Sequence, residues 1–196
     1  MKLEELSKMS TKEMRDISND ELIDLIEKSS EEEIIQIASL YSYPIYLRKM
    51  LGKLQHKAII FQPGSGAFIV NEKGEILLHA RTDRDMWGLP GGCQELTETF
   101  EETIIREVKE EFNLDIRKED LNLFAVVSGK TRKNSYPNGD IVYSNTVLYE
   151  VKKYTGNIRI NNESKKAEFF RLDNIPANHV DDDLIQAYIE YVRNNN

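Results

Sequence analysis

The chain of 196 residues is 40% hydrophobic, 31% charged and 9% aromatic, which excludes a disordered tail and leaves room for one generous domain or a domain with an appendage. Its one cysteine, Cys93, excludes an intramolecular disulfide framework and a multi-cysteine zinc site, and suits a reducing compartment. A net charge of −8 argues against non-specific binding to nucleic acid or to an anionic membrane through bulk charge.

The stretch from Met1 to Leu6 is acidic and helix-forming, and no apolar run approaches the roughly 18 residues of a membrane span, so a cytoplasmic protein without membrane contact is expected. There is no glycine before Gly52 and no proline before Pro44, and Glu, Lys, Leu and Ile dominate, which is helical composition. Three Ser-x-x-Glu capping boxes, Ser10 with Glu13, Ser18 with Glu21 and Ser30 with Glu33, predict short consecutive helices, because each pair satisfies free backbone N–H groups at a helix start. Apolar stripes at Leu22, Ile23, Leu25 and Ile26 and again from Ile34 to Leu40 follow the boxes, and Pro44 can open a last helix to about Leu51. The division expected is a helical N-terminal region over residues 1–52 and a second domain over 53–196.

After Gly52 the period changes to that of strands. Residues 57–62, 66–70 and 75–80 are short β-rich runs, the last two joined by the turn Asn71-Glu72-Lys73-Gly74, which reads as a hairpin. A glycine-rich segment from Gly88 to Gly92 leads into a helix over about 98–112. Strands are expected near 121–128, 141–152 and 166–171, and a helix over about 181–193. Strands on both sides of a central helix predict an α+β sandwich rather than a doubly wound nucleotide fold.

The central helix carries the chemistry. At about 100° per residue, Glu107, Glu110 and Glu111 share one arc, and Phe100, Ile104, Ile105, Val108 and Phe112 occupy the adjoining apolar side. Like charges at these spacings destabilise a helix by roughly 0.2–0.5 kcal/mol per pair. A hard divalent cation with oxygen ligands would neutralise them. A solvated acidic face countered by Arg106 and Lys109 would do so too.

The full spacing is Gly92, five residues, Glu98, seven residues, then Arg106-Glu107-Val108-Lys109-Glu110-Glu111, followed by Phe112, Asn113 and Leu114. This resembles the box G-x5-E-x7-R-E-U-x-E-E-x-G-U of the Nudix hydrolases (MutT-like), with U aliphatic. Every charged position and both U positions match. Asn113 stands where the family has glycine, and asparagine tolerates the left-handed conformation a helix C-cap needs. Thr97 and Thr103 stand where the family often has a small residue. Met86-Trp87-Gly88-Leu89-Pro90-Gly91-Gly92 resembles the family's entry to the box, and Glu168-Phe169-Phe170 the strand that crosses behind it. The resemblance covers residues 57–180.

The resemblance implies a Nudix-type α/β/α sandwich with a mixed sheet. It implies a Mg²⁺- or Mn²⁺-dependent pyrophosphohydrolase that cleaves a nucleoside diphosphate linked to another moiety by water attack at phosphorus. Carried over residue by residue, Glu107, Glu110 and Glu111 would hold metal, with the Gly91 carbonyl beside them. Glu98 would bind metal or orient its loop. Arg106 would pair with Glu98 or its neighbours to fix the helix. Glu107, Arg106 and Glu110 form the expected catalytic set, and the general base is Glu107 or a carboxylate from a later loop. Glu163, five residues before Glu168, is the candidate further ligand, with Asp140 as runner-up. Arg81 resembles a phosphate-contacting arginine. The basic segment holding Lys130, Arg132 and Lys133, with Tyr136 able to stack on a base, is the candidate substrate contact, against a solvated hairpin tip. The partner is then a small nucleotide, and the oligomeric state stays open, relatives often being dimers. A Nudix-like module that senses a nucleotide and signals through the N-terminal helices is the competing reading, and the intact carboxylates weigh against it. No histidine is near Cys93 in sequence, and His56, His79 and His179 lack metal-ligand spacing.

Overall fold

The computed structural model describes residues 3–6, 17–30, 33, 59–82, 86–135 and 141–195. Its elements in chain order are α1 (Leu3–Leu6), α2 (Asn19–Glu27), β1 (Ile59–Ile69), β2 (Ile76–Arg81), β3 (Trp87–Gly88), β4 (Gly91–Cys93) and α3 (Phe100–Phe112). They continue with β5 (Leu114–Asp115), β6 (Leu121–Val127), β7 (Lys133–Ser135), β8 (Ile141–Val151), β9 (Thr155–Gly156), β10 (Ser164–Phe170) and α4 (Asp182–Asn195). One sheet has the order β4-β1-β8-β6 with β7 on β8, a second has β10-β2-β3, and β5 pairs with β9. The fold is α+β with a mixed sheet, as the sequence predicts.

Two compact units divide the chain. One comprises the described residues up to Gly64 with Cys93–Thr99 and Val127–Thr146; the other comprises Ser65–Gly92, Phe100–Val126 and Val147–Asn196.

In the first unit, two of the three capping boxes form as expected. Ser18 N–H donates to Glu21 Oε2 at 3.2 Å while Glu21 N–H donates to Ser18 Oγ at 3.2 Å, and α2 follows directly, burying Leu22 and Leu25. The Ser30 and Glu33 pair repeats this, with N–H to carboxylate and N–H to hydroxyl distances of 2.8 and 3.3 Å. The box at Ser10, the stripe from Ile34 to Leu40, the helix after Pro44 and the boundary at 52/53 lie outside the described residues. So do Tyr136 and Asp140. Within this unit β7 pairs antiparallel with β8, Lys133 opposite Tyr143.

The second unit holds the core, and strand parity builds it. In β1, Ala67 and Ile69 face Ile104, Val108 and Phe112 of α3, whereas Phe68 faces the other way and stacks on Tyr188 of α4 at 4.1 Å between ring centroids. β8 repeats the pattern. Val147, Tyr149 and Val151 join the α3 cluster, and Glu150 on the opposite face accepts a 2.7 Å hydrogen bond from the Tyr188 hydroxyl. Sheet residues thus lie between α3 and α4, an α/β/α layering.

Two sequence expectations change. Residues 59–69 form one strand rather than two runs. The turn at Asn71–Gly74 closes with Gly74 N–H donating to Asn71 O, but among the described residues β1 and β2 are joined by the bridge between Val70 and Ile76 and then enter different sheets. The physical reason is burial: Ala67 to Val70 and Ile76 to His79 are buried at every position, so both runs demand cover on two faces that a simple hairpin would leave wet.

Candidate active site on the α3 helix

α3 starts at Phe100, so Glu98 precedes the helix instead of opening it. In the first unit, Glu98 Oε2 accepts from Glu95 N–H at 3.1 Å, its carbonyl accepts from Gln94 Nε2 at 2.6 Å, and Gln94 N–H donates to Pro63 O. These bonds shape the loop that leads to α3. Thr97 takes a positive φ of 75° there, a conformation unfavourable for a β-branched side chain. Cys93 accepts a hydrogen bond from Gln62 Nε2 at 2.7 Å.

The remaining features lie in the second unit. α3 ends where the sequence predicts. Asn113 sits at φ 58° with its N–H on Lys109 O, a left-handed C-cap, and its side-chain amide donates to Asn157 O at 3.2 Å. The apolar face of α3 is anchored in the core by Ile104, Val108 and Phe112, none of which is exposed to solvent. That anchoring turns Glu111 inward to 2% exposure and leaves Glu107 half-buried beside it, while the Glu110 side chain stays open to solvent. Arg106 pairs with Glu107 at 2.9 Å and with Glu110 at 3.4 Å, and so braces the helix through these two acids.

The glycine turn meets these acids directly. Gly91 N–H donates to Glu111 Oε2 at 3.2 Å. A methyl group at Gly91 would overlap the Ser65 carbonyl and Gly66 Cα, so that position requires glycine, and one at Gly92 would displace the Glu107 carboxylate. Further contacts hold the turn in place. Leu89 N–H donates to Asp181 Oδ2 at 3.2 Å, Trp87 N–H donates to Asn178 O, Val180 N–H donates to Trp87 O, and the Trp87 ring packs edge-on against Phe170.

Burial pushes the Glu107 carboxyl up to about 7; the Arg106 guanidinium opposes the rise, and Glu110 and Glu163 add to it. Glu111 is held well above the usual carboxylate range, chiefly by burial and then by Glu107, with the Gly91 N–H and Arg81 opposing and Glu163 adding. Glu163, from the turn before β10, therefore comes within electrostatic reach of both helix acids, and Arg81 at the end of β2 reaches Glu111. These are two residues the sequence singled out far from the helix.

Three acidic side chains are not already closed around a single point among the described residues. The Glu111 carboxylate is held by the Gly91 N–H, and those of Glu107 and Glu110 by Arg106. The donor set nonetheless fits a hard divalent cation. It is all oxygen, and two of its carboxyls are buried with less positive charge around them than two ionised acids need.

Lys130 and Arg132 lie on a 3₁₀ turn and Lys133 opens β7, all in the first unit; Lys130 and Lys133 are exposed and Arg132 half-buried. Contacts at His79 and Ser164 were not legible in the sequence. His79 Nδ1 and Ser164 Oγ are joined by a 2.6 Å hydrogen bond, both residues buried. A histidine within an apolar strand and a serine after Glu163 carry no local signal of it.

An α+β sandwich whose central helix turns glutamates toward a double-glycine turn is the arrangement of Nudix pyrophosphohydrolases. The NUDIX domain model matches residues 60–188, and the chain belongs to this family. It is 28% identical over 173 residues to an ADP-ribose pyrophosphatase of Methanocaldococcus jannaschii, a match covering 86% of this chain and 90% of that protein. The match therefore runs into residues ahead of the domain. An RNA pyrophosphohydrolase of Marinomonas sp. is 35% identical over 72 residues, covering 37% of this chain and 41% of that protein. Among solved structures, the MutT NUDIX hydrolase of Burkholderia pseudomallei superposes with a TM-score of 0.55 at 26% identity, over 66% of this chain and 97% of that one. No helix among the described residues is long and apolar enough to cross a membrane.

Proposed function

We propose that the protein is a divalent-metal-dependent hydrolase of a nucleoside diphosphate linked to a second moiety, with Mg²⁺ or Mn²⁺ as cofactor and ADP-ribose the first substrate to try. Supporting this reading is the convergence of Glu107 and Glu111 on the Gly91–Gly92 turn, with Glu163 in reach. The relative that spans most of the chain is an ADP-ribose pyrophosphatase.

In this reading Glu107, Glu111 and Glu163 would hold the metal with the Gly91 carbonyl, and the exposed Glu110 would supply a further oxygen. A bound divalent cation would lower the pKa of the attacking water and offset charge on the phosphate oxygens. Water adds across the P–O–P bridge, giving a nucleoside monophosphate and the second moiety as its phosphate. Arg106 keeps Glu107 and Glu110 aligned, and Arg81 meets a phosphate oxygen beside Glu111. Glu107, or a carboxylate from a later loop, would accept the water's proton. Glu98 acts on the loop through Glu95 rather than on the metal. The basic segment of Lys130, Arg132, Lys133 and Tyr136 is the candidate substrate contact on the strength of its charge and its aromatic ring.

The test is turnover of ADP-ribose, nucleotide sugars, nucleoside triphosphates, dinucleoside polyphosphates and triphosphorylated RNA with Mg²⁺ or Mn²⁺, in water enriched in heavy oxygen. Heavy oxygen in one phosphate product is expected; turnover of none of these would overturn the reading.

A further inference from the structure

β10 and β2 pair antiparallel, with Phe169 opposite Leu77 and Ala167 opposite His79. Opposed residues share a face, and this face meets α3: Leu77 belongs to the α3 cluster, Ala167 and Phe169 pack on it, and the His79 ring sits edge-on to Phe112 at 5.3 Å. Continuing by twos along β10 would bring the charged Lys165 onto this face, opposite Arg81. The strand avoids this with an irregularity between Ser164 and Lys166, where the register slips so that Ser164 stands opposite Arg81. Lys165 is exposed, and the small hydroxyl of Ser164 goes inward to His79 Nδ1 at 2.6 Å.

This bulge immediately follows Glu163. The backbone of Glu163 is fixed on its other side as well: its carbonyl accepts from Thr82 N–H at 2.9 Å and from Thr82 Oγ1 at 3.0 Å, and its N–H donates to Asn161 Oδ1 at 2.9 Å. His79 therefore touches both the serine next to Glu163 and the phenylalanine next to Glu111. One buried imidazole links the two backbone segments that deliver these carboxylates.

We propose that His79 and Ser164 are positioning residues for Glu163, their buried hydrogen bond locking the β10 bulge so that Glu163 faces Glu107 and Glu111. The inference rests on the reading of Glu163 as a metal ligand. Partners of this outer kind typically change metal affinity by about 10- to 100-fold when removed.

The experiment measures Mn²⁺ affinity of the full chain from the free-ion electron spin resonance signal, with melting temperature alongside, for Ser164→Ala, Ser164→Thr, Glu163→Gln and the double variant Glu163→Gln/Ser164→Ala. Ser164→Ala is expected to weaken Mn²⁺ binding about tenfold and Ser164→Thr, which keeps the hydroxyl, to restore it. In the Glu163→Gln background Ser164→Ala is expected to add nothing, because the residue it positions is already disabled. An equal loss from Ser164→Ala in both backgrounds would reduce the pair to a structural role and overturn the inference. So would unchanged binding in Ser164→Ala when Glu163→Gln weakens it, with the reading of Glu163 left standing. Unchanged binding in Glu163→Gln would overturn that reading and the inference with it. Should Ser164→Ala not fold, His79→Phe keeps a ring against Phe112 and removes the nitrogen; it is expected to reproduce the loss, and full Mn²⁺ affinity in it would overturn the proposal.

Discussion

Glu107→Gln is expected to stabilise the metal-free protein while disabling it. Burial raises the Glu107 carboxyl from an ordinary 4.5 to about 7. Between those values the folded chain keeps a proton that the unfolded chain has released, so this group's contribution to stability is present at low pH and is lost as pH rises through about 7. The full shift corresponds to about 3 kcal/mol. Glutamine keeps the shape but never ionises. The attraction of Arg106 across 2.9 Å is already contained in the value of about 7, so nothing further is subtracted for it. The gain of about 3 kcal/mol corresponds to a melting temperature higher by about 6–12 °C for a chain of this size. The assay is thermal unfolding of wild type and variant in excess chelator, at about pH 8 and again at about pH 4, where wild-type Glu107 is protonated in both states and the two curves should converge. A variant that melts at or below wild type at the higher pH would refute the claim that an ionised Glu107 is under-neutralised in the chelator-treated protein.

Glu111→Gln is expected to cut kcat by at least about a hundredfold with an unchanged circular dichroism spectrum, since a lost metal carboxylate removes several kcal/mol of charge stabilisation; near-wild-type turnover would remove Glu111 from the mechanism. Gly92→Ala is expected to abolish turnover, because the added methyl displaces the Glu107 carboxylate, and retained activity would show that the turn yields instead. Thr97→Gly should raise the melting temperature by about 2–3 °C, as relief of about 1–2 kcal/mol of left-handed strain outweighs glycine's extra unfolded-state entropy; a lower melting temperature would contradict the strain. Neutralising Arg132 and Lys133 together should raise KM more than it lowers kcat, which steady-state kinetics with the substrate found above would check.

What could be read from the sequence was governed by neighbours along the chain. Capping boxes at Ser18 and Ser30 depend on residues three apart, the carboxylate face of α3 on its period, and the C-cap on the tolerance of Asn113 for a positive φ. The spacing of the box carried the family in the same way. Other features required the tertiary structure. Residues 59–69 merge into one strand, and the expected hairpin parts after the bridge between Val70 and Ile76, because its two runs must be covered on both faces by elements distant in sequence. The approach of Gly92 to Glu107 follows from how β4 is placed against α3, and the partnership of Ser164 with His79 follows from a register slip in β10. A strand's side-chain pattern repeats every two residues, so one inserted residue changes which side chain reaches the core, and only packing against α3 decides where that insertion falls.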